Sequence, residues 1–382
     1  MIFVIYLLPL LTCAILSILN GGDFMEWDVY AWILAGSWVY SGVIHYYMIQ
    51  KRITDEEYLS AWATEIIHED AWTRIIHVTR RVPCGRDRQG RTIYRTVHET
   101  HHERYPDRWI MKDSDGTLKD LSMERFFEIQ SLWNVPGQEA SIRGTDIVGG
   151  IRYLQVYAFN DVLSRFKGSE DVYSQPLLRL YVPTTRTEHY TNKVRHSGSI
   201  FRLDRIKEKE ARSLGLFFYP PVREDQDSIL GRDFPQSTLK KFRLLNALNG
   251  WNHQIHLFIL FFDAKQGIQI AEKQRAFWEG GNKNELTVCL GMDGDMVQWC
   301  RAFSWCDDIT LQVKTEGWFR DHPSLDMDAF HRFLLNNLHL WKRKEFKDFN
   351  YLHVSLSKKQ MIWLSLLTIL LEVGIIIYLL YA

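Results

Sequence analysis

The segment HETHH, which contains His98, Glu99 and His102, matches the pattern H-E-x-x-H. In zinc proteases the two histidines of this pattern bind the metal and the glutamate activates a metal-bound water. That chemistry requires a helix, because histidines one turn apart then share a face. Here residues 92–97 alternate as a strand does, and Pro106 follows closely. On a strand the two histidines would lie about 13 Å apart, too far for one metal ion. The pattern therefore favours a solvated polar strand, with another kind of metal site left open.

Aspartates that follow apolar runs form a second group of candidate ligands. Asp263 ends one such run, and Asp293 and Asp295 lie in a later turn. Carboxylates at strand ends can bind a divalent cation, although acidic residues are also ordinary turn formers. The sequence has no P-loop, no dinucleotide-binding glycine motif and no serine-hydrolase motif. We therefore predict no cofactor, with a divalent metal ion as the alternative.

A single carboxylate interrupts the apolar C-terminal segment. Glu372 lies about 16 Å into the helix predicted over residues 361–382, a depth at which an isolated carboxylate is costly in a bilayer. One interpretation is a proton or ion pathway. The other, which the small number of apolar segments favours, is a packing hydrogen bond to Ser37, Tyr40 or Ser41.

Three apolar stretches frame the chain. Residues 2–19 have no charged side chain, residues 361–382 have one, and residues 27–49 are rich in aromatic and small residues. A spanning helix needs about 20 mostly apolar residues. The sequence therefore predicts a transmembrane helical hairpin within residues 1–50 and a third transmembrane helix within residues 358–382.

Basic residues determine the predicted orientation. A basic pair flanks each end of the central region, whereas the link between the first two apolar segments has no basic residue. This pattern places the central region in the cytoplasm and the C-terminus outside, in a membrane of the bacterial inner-membrane type. A signal peptide or lipid anchor is the alternative for the first segment, which lacks a basic start and a small-residue cleavage site. The basic pairs are Lys51 with Arg52 and Lys358 with Lys359.

The charge of the whole chain is balanced, with 46 basic and 46 acidic residues that lie almost entirely in the central region. A nucleic-acid-binding domain would have a basic excess, so we predict no nucleic-acid partner. The predicted partners are the lipid bilayer and either another protein or a second copy of the chain. The five cysteines lack framework spacing, which indicates reduced thiols.

The first part of the central region, residues 51–220, predicts a β-rich α+β lobe. Within it, residues 55–72 are predicted as an amphipathic helix, because Tyr58, Trp62 and Ile66 recur at helical spacing. Two alternating segments separated by a polar turn then predict an exposed two-stranded ribbon. These segments are residues 74–82 and 92–100.

The second lobe is predicted over residues 237–357, after a linker-like loop at 221–236. An apolar run, an amphipathic helix, a second apolar run and a hairpin predict a βαβ unit followed by a paired strand. A long helix is predicted before the last apolar segment. The two apolar runs are residues 254–263 and 286–290, the helix between them is 264–278, and the hairpin is 292–303. The long helix is residues 325–349.

Residues 254–305 resemble the TPM domain in the order of their elements. The resemblance lies in the run FILFFD, a helix ending QRAFWEGG, and the segment NKNELTVCLGMDGDMVQW. It implies an α/β lobe beside a membrane helix, with metal binding and phosphatase activity as the chemistry of the family. In this chain residues 281–285 read GNKNE in place of the acidic, glycine-rich turn. The chain as a whole also resembles membrane proteins of bacteria and large bacteriophages.

These observations predict an α+β cytoplasmic region with three transmembrane helices, two N-terminal and one C-terminal. The predicted function is the display of that region at the membrane for protein interaction. The alternative is a membrane-tethered, metal-dependent hydrolase, either a phosphatase or a protease.

Overall fold

The computed structural model describes residues 2–19, 27–86, 88–143, 148–149, 151–166, 171–194, 206–222 and 227–381. In these ranges the chain forms an α+β body with three apolar helices at one end.

The three apolar helices are α1 (Ile2–Leu19), α2 (Trp27–Ile53) and α11 (Lys358–Tyr381), and they pack against one another. Their contact faces are marked by buried side chains four residues apart, the spacing at which a helix returns to the same face. These side chains are Ile33, Ser37 and Ser41 on α2, and Leu364, Thr368 and Glu372 on α11.

The prediction of three transmembrane helices is wrong. Among the described residues, only the helix Lys358–Tyr378 is long and apolar enough to cross a membrane. In α1 the apolar helix Leu7–Ile18 is too short to cross a membrane. In α2 the apolar residues are mixed with tyrosine, serine, glycine and histidine. Aromatic and small residues made this stretch look apolar, but its hydropathy is below that of a spanning helix.

The centre of the first lobe is β1 (Thr54–Glu69), which follows α2 directly. Its first half pairs with β9 (Pro183–Thr191), and its second half pairs with β4 (Arg108–Asp113) on one edge and β8 (Ile151–Ala158) on the other. The helix predicted over residues 55–72 is therefore wrong. Neighbouring strands satisfy the backbone of this segment and bury its apolar side chains, which overrides a weak helical spacing.

Further strands and short helices complete this lobe. Ser122 caps α3 by accepting a hydrogen bond from the backbone N–H of Arg125 at 3.2 Å. The side chains of Phe126, Ile129 and Trp133 on α3 are buried against the sheet. The elements are β5 (Leu118–Asp120), α3 (Met123–Trp133), β6 (Gln138–Arg143), α4 (Phe159–Leu163), α5 (Gln175–Leu178) and α6 (Glu208–Leu214).

The predicted two-stranded ribbon is confirmed, and it is longer than the sequence indicated. It consists of β2 (Trp72–Arg86) and β3 (Thr92–Tyr105), paired antiparallel, with β7 (Val148–Gly149) beside the base of β2. The ribbon starts at the end of β1 that is farthest from α2. We define these two strands and their connecting turn as the ribbon.

The second lobe contains the predicted βαβ unit and hairpin. Its sheet has the order β10 (Ile229–Leu230), β11 (His256–Asp263), β12 (Glu285–Asp293), β13 (Met296–Ser304). The first two pairs are parallel and the last is antiparallel. The helix α8 (Gln269–Phe277) connects β11 to β12. Strand β10 lies within the predicted linker-like loop, so part of that loop belongs to the sheet.

Helix α7 (Gln236–Gly250) lies between the two lobes, with Leu245 in the core of the second and Leu244 in the core of the first. A Cβ atom on Gly250 would come within 2.1 Å of the Ser60 carbonyl oxygen on β1. Only glycine therefore allows this close approach of helix and strand.

The long helix predicted over residues 325–349 is shorter in the structure. Helix α9 (Thr310–Asp321) precedes α10 (Met327–Asn337), which is capped at its start by Asp326. The chain continues as 3₁₀ turns at Leu338–Leu340 and Phe346–Phe349. Trp341, between these turns, has an extended backbone, and its side chain is buried in the core of the second lobe. A continuous helix would not place this side chain there.

Candidate functional site

The HETHH segment lies on β3, in the exposed ribbon. The Nδ1 atom of His98 is 3.1 Å from the Thr79 hydroxyl on the neighbouring strand. Glu99 points to the opposite face of the ribbon, where its carboxylate is 3.9 Å from Arg80. His98 and His102 are four residues apart on a strand, so they do not converge on a point that one metal ion could occupy. The strand prediction is confirmed, and the geometry of a zinc protease is not formed.

The three candidate aspartates at the strand ends lie close together but among cations. Asp263 and Asp293 line a cavity of about 370 Å³ together with Arg232 and Lys265. Asp295 forms an ion pair with Arg232. The side chain of Asp263 accepts a hydrogen bond from the Lys265 backbone N–H at 2.8 Å, which caps a short helical turn. These contacts are those of turn residues and ion pairs.

Another group of side chains, which the sequence did not single out, could hold a metal ion. His68, Asp70 and Asp107 bring ligand atoms within 4.8 Å of one another. The Nδ1 atom of His68 faces Asp70 at 3.6 Å, and its Nε2 atom faces Asp107 at 3.7 Å. A metal ion can take only one of the two ring nitrogens, and both carboxylates are half exposed. The group is therefore an open site with few ligands.

Glu372 is buried in the interface of the three apolar helices, with 5% of its surface exposed. Neither of its carboxylate oxygens has a hydrogen-bond partner among the described residues, and the same holds for the Ser37 hydroxyl on α2. The Ser41 hydroxyl instead lies 3.2 Å from the hydroxyl of Thr368. The predicted hydrogen bond between Glu372 and Ser37, Tyr40 or Ser41 is not formed in this arrangement.

A cavity of about 890 Å³ lies where the chain leaves α2 and enters β1. We call it the junction cavity. The end of α2 is held beside the start of α11, because Arg52 donates a hydrogen bond to the Gln360 side chain at 3.2 Å. The cavity therefore opens at the level where the apolar helices meet the α+β body. Its lining comprises Tyr47, Gln50, Lys51, Thr54, Asp55, Glu56, Tyr58, His189, Tyr219, Phe277, Trp278, Glu279 and Asn282.

Stacked aromatic rings form the floor of the junction cavity. The ring of Tyr219 lies parallel to that of Trp278 at 4.2 Å and stacks on Tyr58 at 5.9 Å. The Tyr58 hydroxyl donates to the Pro220 carbonyl at 2.8 Å, and the Trp278 indole N–H donates to the Phe217 carbonyl at 2.9 Å. These hydrogen bonds hold the rings in place without a ligand.

Behind this floor lies a buried carboxyl group, that of Glu285, which is 1% exposed. Its Oε2 atom accepts hydrogen bonds from the Tyr219 hydroxyl at 2.8 Å and from the Asn282 backbone N–H at 2.9 Å. Its Oε1 atom accepts from the Asn282 side chain at 2.6 Å. Burial raises the pKa of Glu285 to about 7, although these hydrogen bonds act in the opposite direction. The group therefore changes charge near neutral pH while its oxygens stay covered.

A glycine turn wraps the chain around this carboxyl group. Gly281 has a φ of 85°, and a Cβ atom there would lie 3.2 Å from the Oε2 atom of Glu285. The next residues contact β1 of the other lobe: Lys283 pairs with the buried Glu57 at 3.0 Å, and the Asn284 side chain donates to the Tyr58 carbonyl at 2.6 Å. The turn thus links the cavity floor, the titrating carboxyl group and both lobes.

A histidine lies beside the same aromatic group. His256 is 1% exposed and stacks on Tyr58 at 5.3 Å. Its Nδ1 atom is 3.0 Å from the Ser60 hydroxyl, and its Nε2 atom has no partner among the described residues. Burial lowers the pKa of His256 to about 3. This imidazole is therefore neutral at physiological pH and does not supply a cation to the cavity.

Sequence reasoning missed the residues of the junction cavity because they come from four separate segments, 47–58, 189, 219 and 277–282. One signal was present: a glutamate opens the apolar run ELTVCL at Glu285, directly after the segment GGNKN at residues 280–284. An acid at the start of a fully buried strand needs donors, and the turn before it supplies them.

Comparisons with protein-family models, curated proteins and solved structures gave no match. The resemblance of residues 254–305 to the TPM domain therefore stays a prediction.

Proposed function

We propose that this chain is a membrane-anchored display protein, in which α11 holds the α+β body at a membrane and the ribbon binds an acidic protein partner. The observation that carries the proposal is a face of the paired strands that, among the described residues, bears arginine, histidine and hydroxyl groups and no acidic residue.

The anchor is supported by the apolar side chains that α11 exposes. Its polar residues Thr368 and Glu372 face α1 and α2, whereas Trp363, Leu370 and Tyr378 are more than half exposed. An apolar surface of this kind is unfavourable in water and suits contact with lipid. Lys358 and Lys359 precede the apolar part, which by the positive-inside rule supports a cytoplasmic α+β body.

The basic residues of the ribbon are all of one type. The segment from Trp72 to Tyr105 contains eight arginines, no lysine and three acidic residues. Arginine binds carboxylates through two parallel hydrogen bonds and keeps its charge under all physiological conditions. The balanced charge of the whole chain therefore conceals a local basic excess. The arginines are Arg74, Arg80, Arg81, Arg86, Arg88, Arg91, Arg95 and Arg104.

The strand register separates the ribbon into two chemically different faces. One face, which we call the acid-free face, is formed by the cross-strand pairs that include His77, Thr79, Arg81 and their partners on β3. The opposite face contains Glu99 and Glu103, which pair with Arg80 at 3.9 Å and Arg74 at 3.6 Å. The residues of the acid-free face on β3 are Tyr94, Thr96, His98, Thr100, His102 and Arg104.

Strand β7 pairs with Ile75 and Ile76 at the base of the ribbon, and the rest of the ribbon stands apart from the described hydrophobic cores. None of the buried core residues lies between Trp72 and Tyr105, and most side chains from His77 to Arg104 are exposed. An isolated two-stranded ribbon is only marginally stable in water, so a long ribbon gains stability from a partner. Strand β3 is the edge of its sheet, and its outer backbone groups can pair with an added strand.

These features support an acidic, extended polypeptide as the occupant. Its backbone would pair with the outer edge of β3, and its carboxylates would contact Arg81 and Arg104 on the acid-free face. The ribbon starts at the end of β1 opposite to α2, about 50 Å along a strand of 16 residues. The base of the ribbon therefore lies at the end of β1 that is farthest from the proposed membrane anchor.

The test uses the full chain in lipid nanodiscs and three fluorescent probes: a glutamate-rich peptide, a peptide with glutamine in place of glutamate, and a DNA duplex. We expect the acidic peptide to bind at least 10-fold more tightly than its neutral counterpart at 150 mM salt. The double variant R81Q/R104Q should lose most of this affinity.

The matched control is R74Q/R80Q, which removes the same charge from the opposite face. We expect it to retain at least half of the affinity, because its arginines are engaged by Glu103 and Glu99. Equal losses in the two double variants would indicate non-specific charge attraction and contradict the proposal. Tighter binding of the DNA duplex than of the acidic peptide would also overturn it.

A further inference from the structure

We propose that the junction cavity binds an organic ammonium group, independently of the partner of the ribbon. This inference goes beyond the display function, because it assigns a small-molecule site to the base of the α+β body.

The size and wall of the cavity fit a small molecule. A volume of about 890 Å³ lies within the range of ligand sites. Of the stacked rings in the floor, Tyr219 is partly exposed, whereas Tyr58 and Trp278 are buried behind it, at 6% and 2% exposure. Phe277 adds another ring to the lining. A preformed aromatic wall attracts a cation through the negative faces of its rings.

The charges around the wall favour a positive ligand. Asp55, Glu56 and Glu279 line the cavity, against one lysine, Lys51. His189, which also lines it, lies 3.8 Å from the Glu56 carboxylate. Acidic groups at the rim and aromatic rings at the floor are the combination that recognises ammonium ligands.

The buried carboxyl group strengthens this preference. Glu285 contacts two lining residues, Tyr219 and Asn282, through hydrogen bonds of 2.6 to 2.9 Å. When ionised, it adds negative charge directly behind the aromatic floor. A cation in the cavity would be attracted to that charge, because buried groups screen it less than water does.

The ammonium group could belong to a soluble amine or to the headgroup of a lipid. The cavity lies beside the hydrogen bond that joins Arg52 at the end of α2 to Gln360 at the start of α11. A lipid headgroup at the surface of the membrane that surrounds α11 would therefore be within reach. The two sources share one chemistry, and the experiment separates them.

The test measures choline binding to the full chain in nanodiscs of phosphatidylglycerol by equilibrium dialysis. The comparison ligand is 3,3-dimethyl-1-butanol, which has the shape of choline without its charge. We expect choline to bind at least 10-fold more tightly. The variant E56Q/E279Q should weaken choline binding at least 5-fold, and E272Q, which removes an acid from α8 that pairs with Arg301 outside the cavity, should not.

Nanodiscs of phosphatidylcholine distinguish the source. If lipid headgroups fill the site, the apparent affinity for free choline falls in these discs and E56Q/E279Q abolishes the difference between the two lipids. If the ligand is soluble, the affinity is the same in both lipids. Equal binding of choline and its neutral counterpart, absence of saturable choline binding in phosphatidylglycerol, or equal loss in E272Q and E56Q/E279Q would each overturn the proposal. The fold of E56Q/E279Q is checked by a circular dichroism spectrum that matches that of the natural chain.

Discussion

The substitution Glu285→Gln tests the origin of the raised pKa in the turn between α8 and β12. Glu285 titrates near pH 7 in the folded chain, compared with 4.5 for an ordinary glutamate. Because the folded state binds this proton more tightly than the unfolded state, protonation stabilises the fold. The contribution is complete below pH 4.5 and is lost as the pH rises to about 7. At about 1.4 kcal/mol for each pH unit, the loss is about 3 kcal/mol.

Glutamine can occupy the same position with its hydrogen bonds retained. Its oxygen can take the place of Oε2 and accept from the Tyr219 hydroxyl and the Asn282 backbone N–H. Its amide group then faces the Asn282 side chain, which can rotate by half a turn to present its oxygen. The variant therefore resembles the protonated glutamate at every pH, and we expect it to be more stable than the natural chain at pH 8 and of equal stability at pH 4.5.

The assay is thermal unfolding of the full chain in nanodiscs, followed by circular dichroism from pH 4.5 to 8.5. The quantity that matters is the difference in Tm between variant and natural chain, because buried histidines change the stability of both in the acid range. We expect this difference to grow by about 5 °C between pH 4.5 and 8. The control Glu65→Gln, which alters a partly exposed pair with Lys112, should give a difference that varies by less than 2 °C. A difference for Glu285→Gln that is independent of pH would refute the reasoning.

Three further predictions concern single residues. Gly281→Ala should destabilise the chain by about 1–3 kcal/mol, as measured by urea unfolding, since an L-residue is strained at a φ of 85°. The control Gly317→Ala in α9 should not destabilise the chain, because the nearest atom to the added Cβ belongs to a flexible arginine side chain at 3.7 Å. The natural chain should lose about 2 kcal/mol of stability as the pH falls from 6.5 to 5, because the unfolded chain binds a proton at His256 in this range, whereas the pKa of His256 in the folded chain is only about 3. His256→Asn should remove this loss, and an unchanged fall in the variant's Tm over the same range would contradict the prediction. Glu372→Gln should leave the expression level and Tm in nanodiscs unchanged if the carboxyl group only packs between helices, and loss of assembly on this change would contradict that role.

The second lobe was largely predictable because its signals are local. The runs at β11 and β12 are continuous and apolar, the helix between them is amphipathic, and Asp293 to Met296 contains a plain hairpin turn. Parallel pairing then follows because the helix between the two strands carries the chain back to the end of the sheet at which the first strand began. The ribbon was predictable for a similar reason. Two segments of alternating polar and apolar residues on either side of a polar turn are compatible with few structures other than a β-hairpin.

The errors arose where distant contacts decide the structure. Residues 54–69 carry Tyr58, Trp62 and Ile66 at helical spacing, but three other strands pair with this segment and fix it as a strand. The junction cavity could not be predicted, because its side chains come from segments separated by up to 235 residues, from Tyr47 to Asn282. Its chemistry depends on how the lobes pack, and periodicity within a segment carries no information about that.

The position of β1 has a mechanical consequence. This strand begins at the last residue of α2, runs about 50 Å through the first sheet and ends where the ribbon begins. Force applied to the ribbon would therefore be transmitted along the backbone of β1 to α2. The hydrogen bonds of β1 to β4, β8 and β9 support the strand from its sides. The return path through Arg52 and Gln360 joins α2 to α11. A partner that pulls on the ribbon would thus apply force to α2 and α11 at the opposite end of the molecule.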